Sequence, residues 1–183
     1  METELCKLAA KWVTDKTPLI NHEYTPFYHE LLRGRNIRKV LEIGIARGGS
    51  LRMWQEYFPK AEIYGLDNLE YGVLVNEGRI RSFLCDQGSE GSLRAAAALV
   101  GGNCDLIIDD GSHRSAHQVL TAKVLIPLLL SPDGIYIIED IWAKEEVLPY
   151  LPYEHELREF NTKKVWDDRI VIIRGGAKLR SVS

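Results

Sequence analysis

Five short apolar runs rich in valine and isoleucine recur along the chain, separated by stretches with helical character. They are residues 39–44, 61–67, 80–86, 105–110 and 134–140. Their hydrophobicity is continuous rather than alternating, which is typical of strands that are covered on both faces. Because such strands alternate with helices, the sequence predicts an α/β fold with a doubly wound, mostly parallel sheet.

The remaining segments extend this prediction. Leu51, Trp54 and Phe58 share one helical face, and the proline that follows them should end the helix. Near the end of the chain, residues 159–164 and 169–174 flank Trp166-Asp167-Asp168 and are predicted to form an antiparallel hairpin. Residues 144–159, by contrast, are expected to form a loop or a broken helix. Residues 1–36 precede the first strand, and we expect a helical cap or lid there.

Length and composition narrow the possible classes. A chain of 183 residues predicts one domain. The formal net charge is −3, from 23 basic and 26 acidic residues, so the chain lacks the general attraction of a basic domain to nucleic acid. No apolar run approaches the ~18 residues of a membrane span, and no secretory signal is visible. With three widely spaced cysteines, we expect a cytoplasmic protein with neither nucleic acid nor membrane as partner.

Acidic residues follow or end every apolar run. In doubly wound sheets, ligands bind outside the carboxyl ends of the strands. The seven acids are Glu42, Asp67, Asp86, Asp109, Asp110, Glu139 and Asp140. Because these positions meet at one edge of the sheet and exceed what solvation requires, they predict a binding site there.

The first strand leads into a glycine-rich turn, Leu41-Glu-Ile-Gly-Ile-Ala-Arg-Gly-Gly-Ser50. Glycines let a backbone approach a ligand closely, and the following helix presents its positive N-terminus to an anion. Ala46 replaces a glycine of the nicotinamide fingerprint, and the P-loop Gly-Lys-Ser/Thr is missing. The turn instead matches the E-x-G-x-x-x-G pattern of class I methyltransferases, with an ordinary glycine turn as the alternative. Asp67 ends the second strand, where an acid would bind both ribose hydroxyls.

The fourth and fifth strands are expected to be neighbours, which brings Asp110, Glu139 and Asp140 together. Three carboxylates in one cleft repel each other unless a cation neutralises them. A hard divalent ion with oxygen ligands, Mg²⁺ above all, meets that need. The alternative is that one or two of these acids are solvated or cap the next helix.

His113 follows three residues after Asp110, at the same edge of the sheet. Histidine titrates near neutral pH, which suits a general base. A zinc site formed by His113 and His117 would lack the glutamate of H-E-x-x-H, so His117 is expected to support the site or pack on the helix.

Taken together, these motifs resemble the metal-dependent sugar O-methyltransferases of antibiotic biosynthesis, the macrocin and mycinamicin type, with rhamnosyl O-methyltransferases close by. The resemblance covers most of residues 15–142. Its strings are Leu-Glu-Ile-Gly44, Gly49-Ser-Leu-Arg-Met-Trp54, Tyr64-Gly-Leu-Asp67, Asp86-Gln87, Asp109-Asp-Gly-Ser-His113, Ile137-Ile-Glu-Asp140, Asp15-Lys16 and His22-Glu-Tyr24-Thr-Pro-Phe-Tyr28.

The resemblance implies a Rossmann-like, seven-stranded methyltransferase domain over residues 37–183, with S-adenosylmethionine as methyl donor. It implies Mg²⁺ bound by Asp110, Glu139 and Asp140, with His113 as the base. The residues it implies for cofactor binding are Glu42, Gly44, Gly48, Gly49, Ser50, Asp67, Asn68, Asp86, Gln87, Asp109 and Tyr24.

The implied acceptor is a hydroxyl of a sugar or of a glycosylated small molecule. Two alternatives stay open: a catechol-type enzyme for vicinal diphenols, and a non-catalytic nucleoside-binding partner in an assembly. The 142–160 segment, where acceptor recognition varies, is short. A small lid implies help from a neighbouring subunit, so we expect a homo-oligomer.

Overall fold

A seven-stranded sheet forms the centre of the protein. The computed structural model describes residues 2–69, 74–160 and 168–180. The strands are β1 (Lys39–Ile43), β2 (Glu62–Asp67), β3 (Ile80–Leu84), β4 (Cys104–Asp109), β5 (Leu130–Ile138), β6 (Glu156–Glu159) and β7 (Arg169–Arg174). Their order is β3-β2-β1-β4-β5-β7-β6, and β7 runs antiparallel to both β5 and β6. The mostly parallel sheet with a C-terminal antiparallel hairpin is therefore confirmed.

Helices cover both faces of this sheet. They are α1 (Glu4–Lys11), α2 (Tyr24–Leu32), α3 (Gly49–Tyr57), α4 (Glu90–Val100), α5 (Ser115–Leu129) and α6 (Lys144–Val147). Helix α1 begins where Thr3 accepts a hydrogen bond from the Cys6 amide, and α3 ends before Pro59. Among the described residues, no helix is long and apolar enough to cross a membrane.

The continuous apolar runs arise because both faces of the sheet are buried. Leu106 and Ile108 of β4 pack into the core cluster on the side of α1, α2 and α3. Ile107, between them, packs into the opposite cluster with residues of α4 and α5. Successive side chains of a strand point to opposite faces, so a strand covered on both sides needs an apolar residue at every position.

The first strand of the C-terminal hairpin lies earlier in the chain than the sequence predicts. Strand β6 lies at Glu156–Glu159, within the segment expected to be a loop or broken helix, and pairs with β7 through Leu157 and Val171. Residues 161–167, the rest of the predicted strand and its turn, lie outside the described residues. The prediction was wrong about β6 because an exposed edge strand rich in charge has no apolar run to reveal it.

The sheet order also fixes where a ligand can bind. Strand β1 lies between β2 and β4, so the chain proceeds outward from β1 to β3 and then returns to β4 on the other side. This reversal opens a crevice outside the carboxyl ends of β1 and β4, which is the usual ligand site of doubly wound sheets.

Candidate active site

Two groups of residues line this crevice. We call the turn Glu42–Ser50 together with Asp67 the glycine half. We call Asp110, His113, Glu139 and Asp140, which follow β4 and β5, the carboxylate half. The glycine half lies at the ends of β1 and β2, and the two halves meet where β1 and β4 pair.

Gly44 sits at this junction. Its φ is +91°, and a Cβ atom there would collide with the carbonyl oxygen of Asp110. Its amide donates to the Leu66 carbonyl at 2.8 Å, while the Asp110 amide donates to the Ile43 carbonyl at 2.9 Å. Only glycine therefore allows the end of β1 to approach both neighbouring strands this closely.

The same turn leaves the start of α3 open. Gly48 is the N-cap of the helix in the left-handed conformation, φ +76°, and in the described part of the chain no side-chain cap accepts a hydrogen bond from the first helical amides. Gly49 begins the helix, and a Cβ atom there would lie 2.5 Å from the Trp12 carbonyl oxygen. Uncapped amides at a helix N-terminus, together with the helix dipole, form a site suited to an anion such as a carboxylate.

Asp67 connects the end of β2 to the glycine turn. Its Oδ2 accepts from the Ile45 and Ala46 amides at 2.7 and 3.3 Å, and its Oδ1 accepts from the Leu69 amide at 2.7 Å. Asn68 lies between these contacts. Asp67 thus stands beside the turn, as the sequence predicts, and also holds its backbone.

Two predicted cofactor-binding residues contact each other. The Gln87 amide donates to Asp109 Oδ1 at 2.6 Å and accepts from the Ser112 amide at 2.9 Å. Burial raises the pKa of Asp109 to about 7, although the hydrogen bonds from Gln87 and Tyr136 oppose the shift. Asp86, nearer the surface, accepts from the Gly88 amide at 2.9 Å. Gln87 and Asp109 therefore link the ends of β3 and β4.

The carboxylate half brings together a possible metal-binding group. One ligand atom each from Asp110, His113 and Asp140 lies within 4.8 Å of the others, the one such group that the described residues form. His113 Nε2 is 3.9 Å from Asp140 Oδ2. Two carboxylates and an imidazole at this spacing suit a divalent cation.

The backbone of this group is strained. His113 and Asp140 have φ values of +55° and +52°, a region that costs residues other than glycine about 1–3 kcal/mol each. Within the described residues, six non-glycine residues have positive φ, and three of them, Ala46, His113 and Asp140, belong to the two halves of the crevice.

Glu139 lies deeper than the other acids. It is 1% exposed, with one oxygen bonded to the ammonium of Lys16 and the other to the hydroxyl of Tyr28. Burial raises its pKa well above the ordinary value, and Asp110 and Asp140 add to that effect against the opposing ammonium. Its role as a metal ligand stays a prediction, since these contacts already use both oxygens.

The N-terminal segment supplies side chains that contact the carboxylate half. Besides Glu139, Lys16 contacts Asp110, and its Nζ lies 3.2 Å from Glu42 Oε1. The Tyr24 hydroxyl donates to Asp140 Oδ1 at 2.6 Å. Tyr24 is completely buried, so its predicted role at the cofactor stays a prediction while its contact with Asp140 is direct.

Excess negative charge characterises the crevice. Burial raises the pKa of Glu42 to about 7 and that of Asp140 to about 6, the second with a contribution from Asp110. Among the described residues, three buried polar atoms lack a hydrogen bond of good geometry: Glu42 Oε1, His113 Nδ1 and Gln118 Oε1. Glu42 Oε1 is nevertheless paired with the Lys16 ammonium at 3.2 Å, whereas no described residue partners His113 Nδ1 in this way. This donor set fits a hard cation on the carboxylate half and a polar ligand beside Glu42.

His117 and Trp142 lie beside the carboxylate half. His117 Nδ1 is 2.9 Å from Ser112 Oγ, and its ring packs against Gly88. His117 thus supports the loop that carries His113. The Trp142 ring, 47% exposed, lies 5.8 Å from the His113 ring, at the outer edge of the crevice.

The sheet order, with β7 antiparallel between β5 and β6, and the glycine turn after β1 are those of the class I methyltransferase fold. No family model matches the chain. It is 39% identical over 149 residues to mycinamicin VI 2''-O-methyltransferase of Micromonospora griseorubida, a match covering 76% of the chain and 36% of that protein. It is 36% identical over 155 residues to 8-demethyl-8-(2-methoxy-alpha-L-rhamnosyl)-tetracenomycin-C 3'-O-methyltransferase of Streptomyces olivaceus, covering 76% and 37%.

Comparison with solved structures also finds a methyltransferase. The MycE methyltransferase of the mycinamycin biosynthetic pathway, in complex with Mg, SAH and mycinamycin VI, superposes with a TM-score of 0.79 at 27% identity. The match covers 96% of this chain and 55% of that one. The chain is thus a class I methyltransferase-fold protein that resembles the macrocin- and mycinamicin-type sugar O-methyltransferases. It spans 36–37% of the length of these two curated relatives.

Proposed function

We propose that the chain transfers a methyl group from S-adenosylmethionine to a hydroxyl of a sugar or glycosylated small molecule, in a reaction that depends on Mg²⁺. The observation that carries this proposal is the group formed by Asp110, His113 and Asp140 directly beside the Gly44 turn. A divalent cation and a nucleoside donor placed in the two halves would be adjacent. The similarity to sugar O-methyltransferases supports the choice of acceptor.

The glycine half would bind the donor. The open amides of α3 suit the methionine carboxylate, and Glu42, held in place by Lys16 and Trp54, would accept a hydrogen bond from the donor's amino group. Asp67, with Asn68 next to it, would bind the ribose hydroxyls. Asp86, Gln87 and Asp109 would then lie on the adenine side of the crevice.

The carboxylate half would hold the metal through Asp110 and Asp140, with Glu139 as the third predicted ligand. When bound, Mg²⁺ supplies the Lewis acidity that makes a weakly acidic sugar hydroxyl easier to deprotonate. Tyr24 and Lys16 orient the carboxylates through the contacts described above.

His113 would accept the proton. The acceptor oxygen forms a bond to the methyl carbon, the bond from that carbon to sulfur breaks, and the donor leaves as neutral S-adenosylhomocysteine. The hydroxyl proton moves to the imidazole of His113, which is 26% exposed and faces Asp140. Vicinal oxygens on the acceptor would let one metal ion orient the attack.

We also propose that residues 1–36 act as a cap over the methyltransferase domain and that the enzyme is a homo-oligomer. The contacts of Lys16 and Tyr24 with the carboxylate half support the first proposal. The second proposal is supported by Trp142, whose half-exposed ring at the edge of the crevice offers a surface for an acceptor or a neighbouring subunit.

The decisive experiment follows methyl transfer from S-adenosylmethionine to a panel of glycosides and catechols, by mass spectrometry, with Mg²⁺ and with EDTA. We expect transfer to glycosides that EDTA abolishes. His113→Ala should lower kcat for glycosides by about 100-fold or more, with His155→Ala as the remote control. Transfer to catechols but not to glycosides, with only a small loss in His113→Ala, would favour the catechol alternative. Transfer that EDTA leaves unchanged would contradict the metal role.

A further inference from the structure

Lys16 makes more contacts than the orientation of the metal-site carboxylates requires. It is 1% exposed, and its ammonium forms ion pairs with Asp110, Glu139 and Glu42. Asp110 and Glu139 belong to the carboxylate half, whereas Glu42 belongs to the glycine half. One buried cation thus contacts both halves of the crevice.

Two backbone hydrogen bonds hold the segment that carries Lys16. The His22 amide donates to the Asp15 carbonyl at 2.8 Å, and the Thr25 amide donates to the Lys16 carbonyl at 3.0 Å. These bonds close the loop between α1 and α2 and direct the lysine side chain inward. The ammonium is therefore delivered by a rigid loop rather than by a flexible surface side chain.

The charge balance of the crevice explains why a cation is needed there. Glu42, Glu139 and Asp140 are buried beside the partly exposed Asp110, and burying such charges without compensation costs several kcal/mol per ion. The Lys16 ammonium lies within ion-pair distance of Asp110, Glu139 and Glu42, so it compensates their charge inside the fold.

We propose that Lys16 is an internal counter-cation, a positioning residue that lets the carboxylate half assemble before any metal binds and that connects it to Glu42 in the glycine half. The metal part of this inference rests on the proposed function. The part that concerns folding is independent of the proposed function, because it requires only Lys16 and the acids with which it forms ion pairs.

The test is the thermal midpoint of Lys16→Met with EDTA and with saturating Mg²⁺. In EDTA, we expect Tm to fall by about 10 °C, since the buried Glu42 and Glu139 and the partly exposed Asp110 lose their shared cation. Mg²⁺ should restore at least half of that loss, because a divalent ion replaces the missing charge, and should shift the wild type much less. Lys11→Met removes an exposed pair with Glu56 and should change Tm by no more than about 2 °C.

A second variant keeps the proposal testable if Lys16→Met does not fold. Adding Glu42→Gln removes one buried charge, so the double variant should regain soluble, cooperatively unfolding protein in EDTA. A lysine that only fills space predicts equal losses with and without Mg²⁺, and a Glu42→Gln effect no larger in the Lys16→Met background than in the wild type. The second result would overturn the proposal, and so would the first if Mg²⁺ binds the wild type.

Calorimetry separates this inference from the proposed function. If Mg²⁺ produces no binding heat with the wild type, the metal role in the proposed function fails. Recovery by Glu42→Gln in EDTA would still support Lys16 as the counter-cation. If Mg²⁺ binds the wild type but neither recovery occurs, the proposed function stands and the counter-cation is refuted.

Discussion

The two halves of the crevice are built in different ways. The glycine half is made mostly of backbone: a turn that needs glycine at Gly44 and Gly48, open amides at the start of α3, and Asp67 bonded to the turn. The carboxylate half is made of side chains, with buried acids bonded to Lys16, Tyr24 and Tyr28.

The glycine half therefore depends mainly on backbone geometry, and the carboxylate half depends mainly on the balance of buried charges. Backbone amides offer partial charges in a fixed direction without burying a full charge, so the glycine half can form from local sequence. Buried carboxylates require partners, and the carboxylate half depends on a lysine 94 residues from Asp110 and 123 from Glu139. Changes to the first half should therefore affect geometry, and changes to the second should affect electrostatics.

Gly44→Ala should have the largest effect because it damages the junction of both halves. The new methyl group would strike the Asp110 carbonyl at a φ of +91°, so we expect a loss of about 4 kcal/mol in the free energy of unfolding. Urea denaturation measures it. Gly34→Ala, with φ +77° but nothing within 4 Å, isolates the backbone cost and should lose only about 1 kcal/mol. Equal losses in the two variants would show that the close approach is unimportant.

Asp110→Asn should break the carboxylate half alone. We expect the rate of methyl transfer to fall about 1,000-fold, or about 4 kcal/mol, because a neutral amide is a poor ligand for a divalent cation. The affinity for S-adenosylhomocysteine should stay within about threefold of the wild type, since the glycine half is intact. Asp133→Asn, at an exposed position, serves as the control. Parallel loss of nucleoside affinity would mean that the halves are not separable.

Glu42→Gln should reveal the cost of charge where the two halves meet. Burial raises the pKa of Glu42 from 4.5 to about 7, so the native state keeps a proton that the unfolded chain has lost. Native stability therefore falls as pH rises from 4.5 to 7. At pH 8 the variant should be more stable than the wild type by up to about 3 kcal/mol, and near pH 4 the two should agree. Denaturation at both pH values, with Glu154→Gln as an exposed control, measures this difference.

Asp67→Asn should have the smallest effect and should be confined to the glycine half. Replacing a charged acceptor by a neutral one should weaken S-adenosylhomocysteine binding about tenfold. The heat of Mg²⁺ binding should not change. A change in Mg²⁺ affinity as large as the change in nucleoside affinity would contradict the division into two halves.

The same division explains what could be predicted from sequence. The sheet, the glycine turn and the acids at the strand ends follow from local patterns: apolar runs, glycine spacing, and acids directly after each run. Asp110, His113 and Asp140 are indeed brought together. Their convergence was predictable because the carboxyl ends of adjacent parallel strands must meet.

The partners of those acids could not be predicted in the same way. A buried lysine such as Lys16 has no distinguishing pattern, because its burial depends on acids far away in the chain. The motif Asp15-Lys16 belongs to the family resemblance, which was the one available signal for it. Strand β6 escaped prediction for a related reason: its residues are exposed and charged, and pairing with β7 alone defines it.

The central claim is that one crevice binds a nucleoside donor in the glycine half and a divalent cation in the carboxylate half. Calorimetric titration of S-adenosylhomocysteine in EDTA, followed by Mg²⁺ into the resulting complex, tests it most directly. We predict one saturable event for each ligand, with Asp110→Asn removing the second and preserving the first. Absence of nucleoside binding, or a Mg²⁺ signal that Asp110→Asn leaves intact, would contradict the claim.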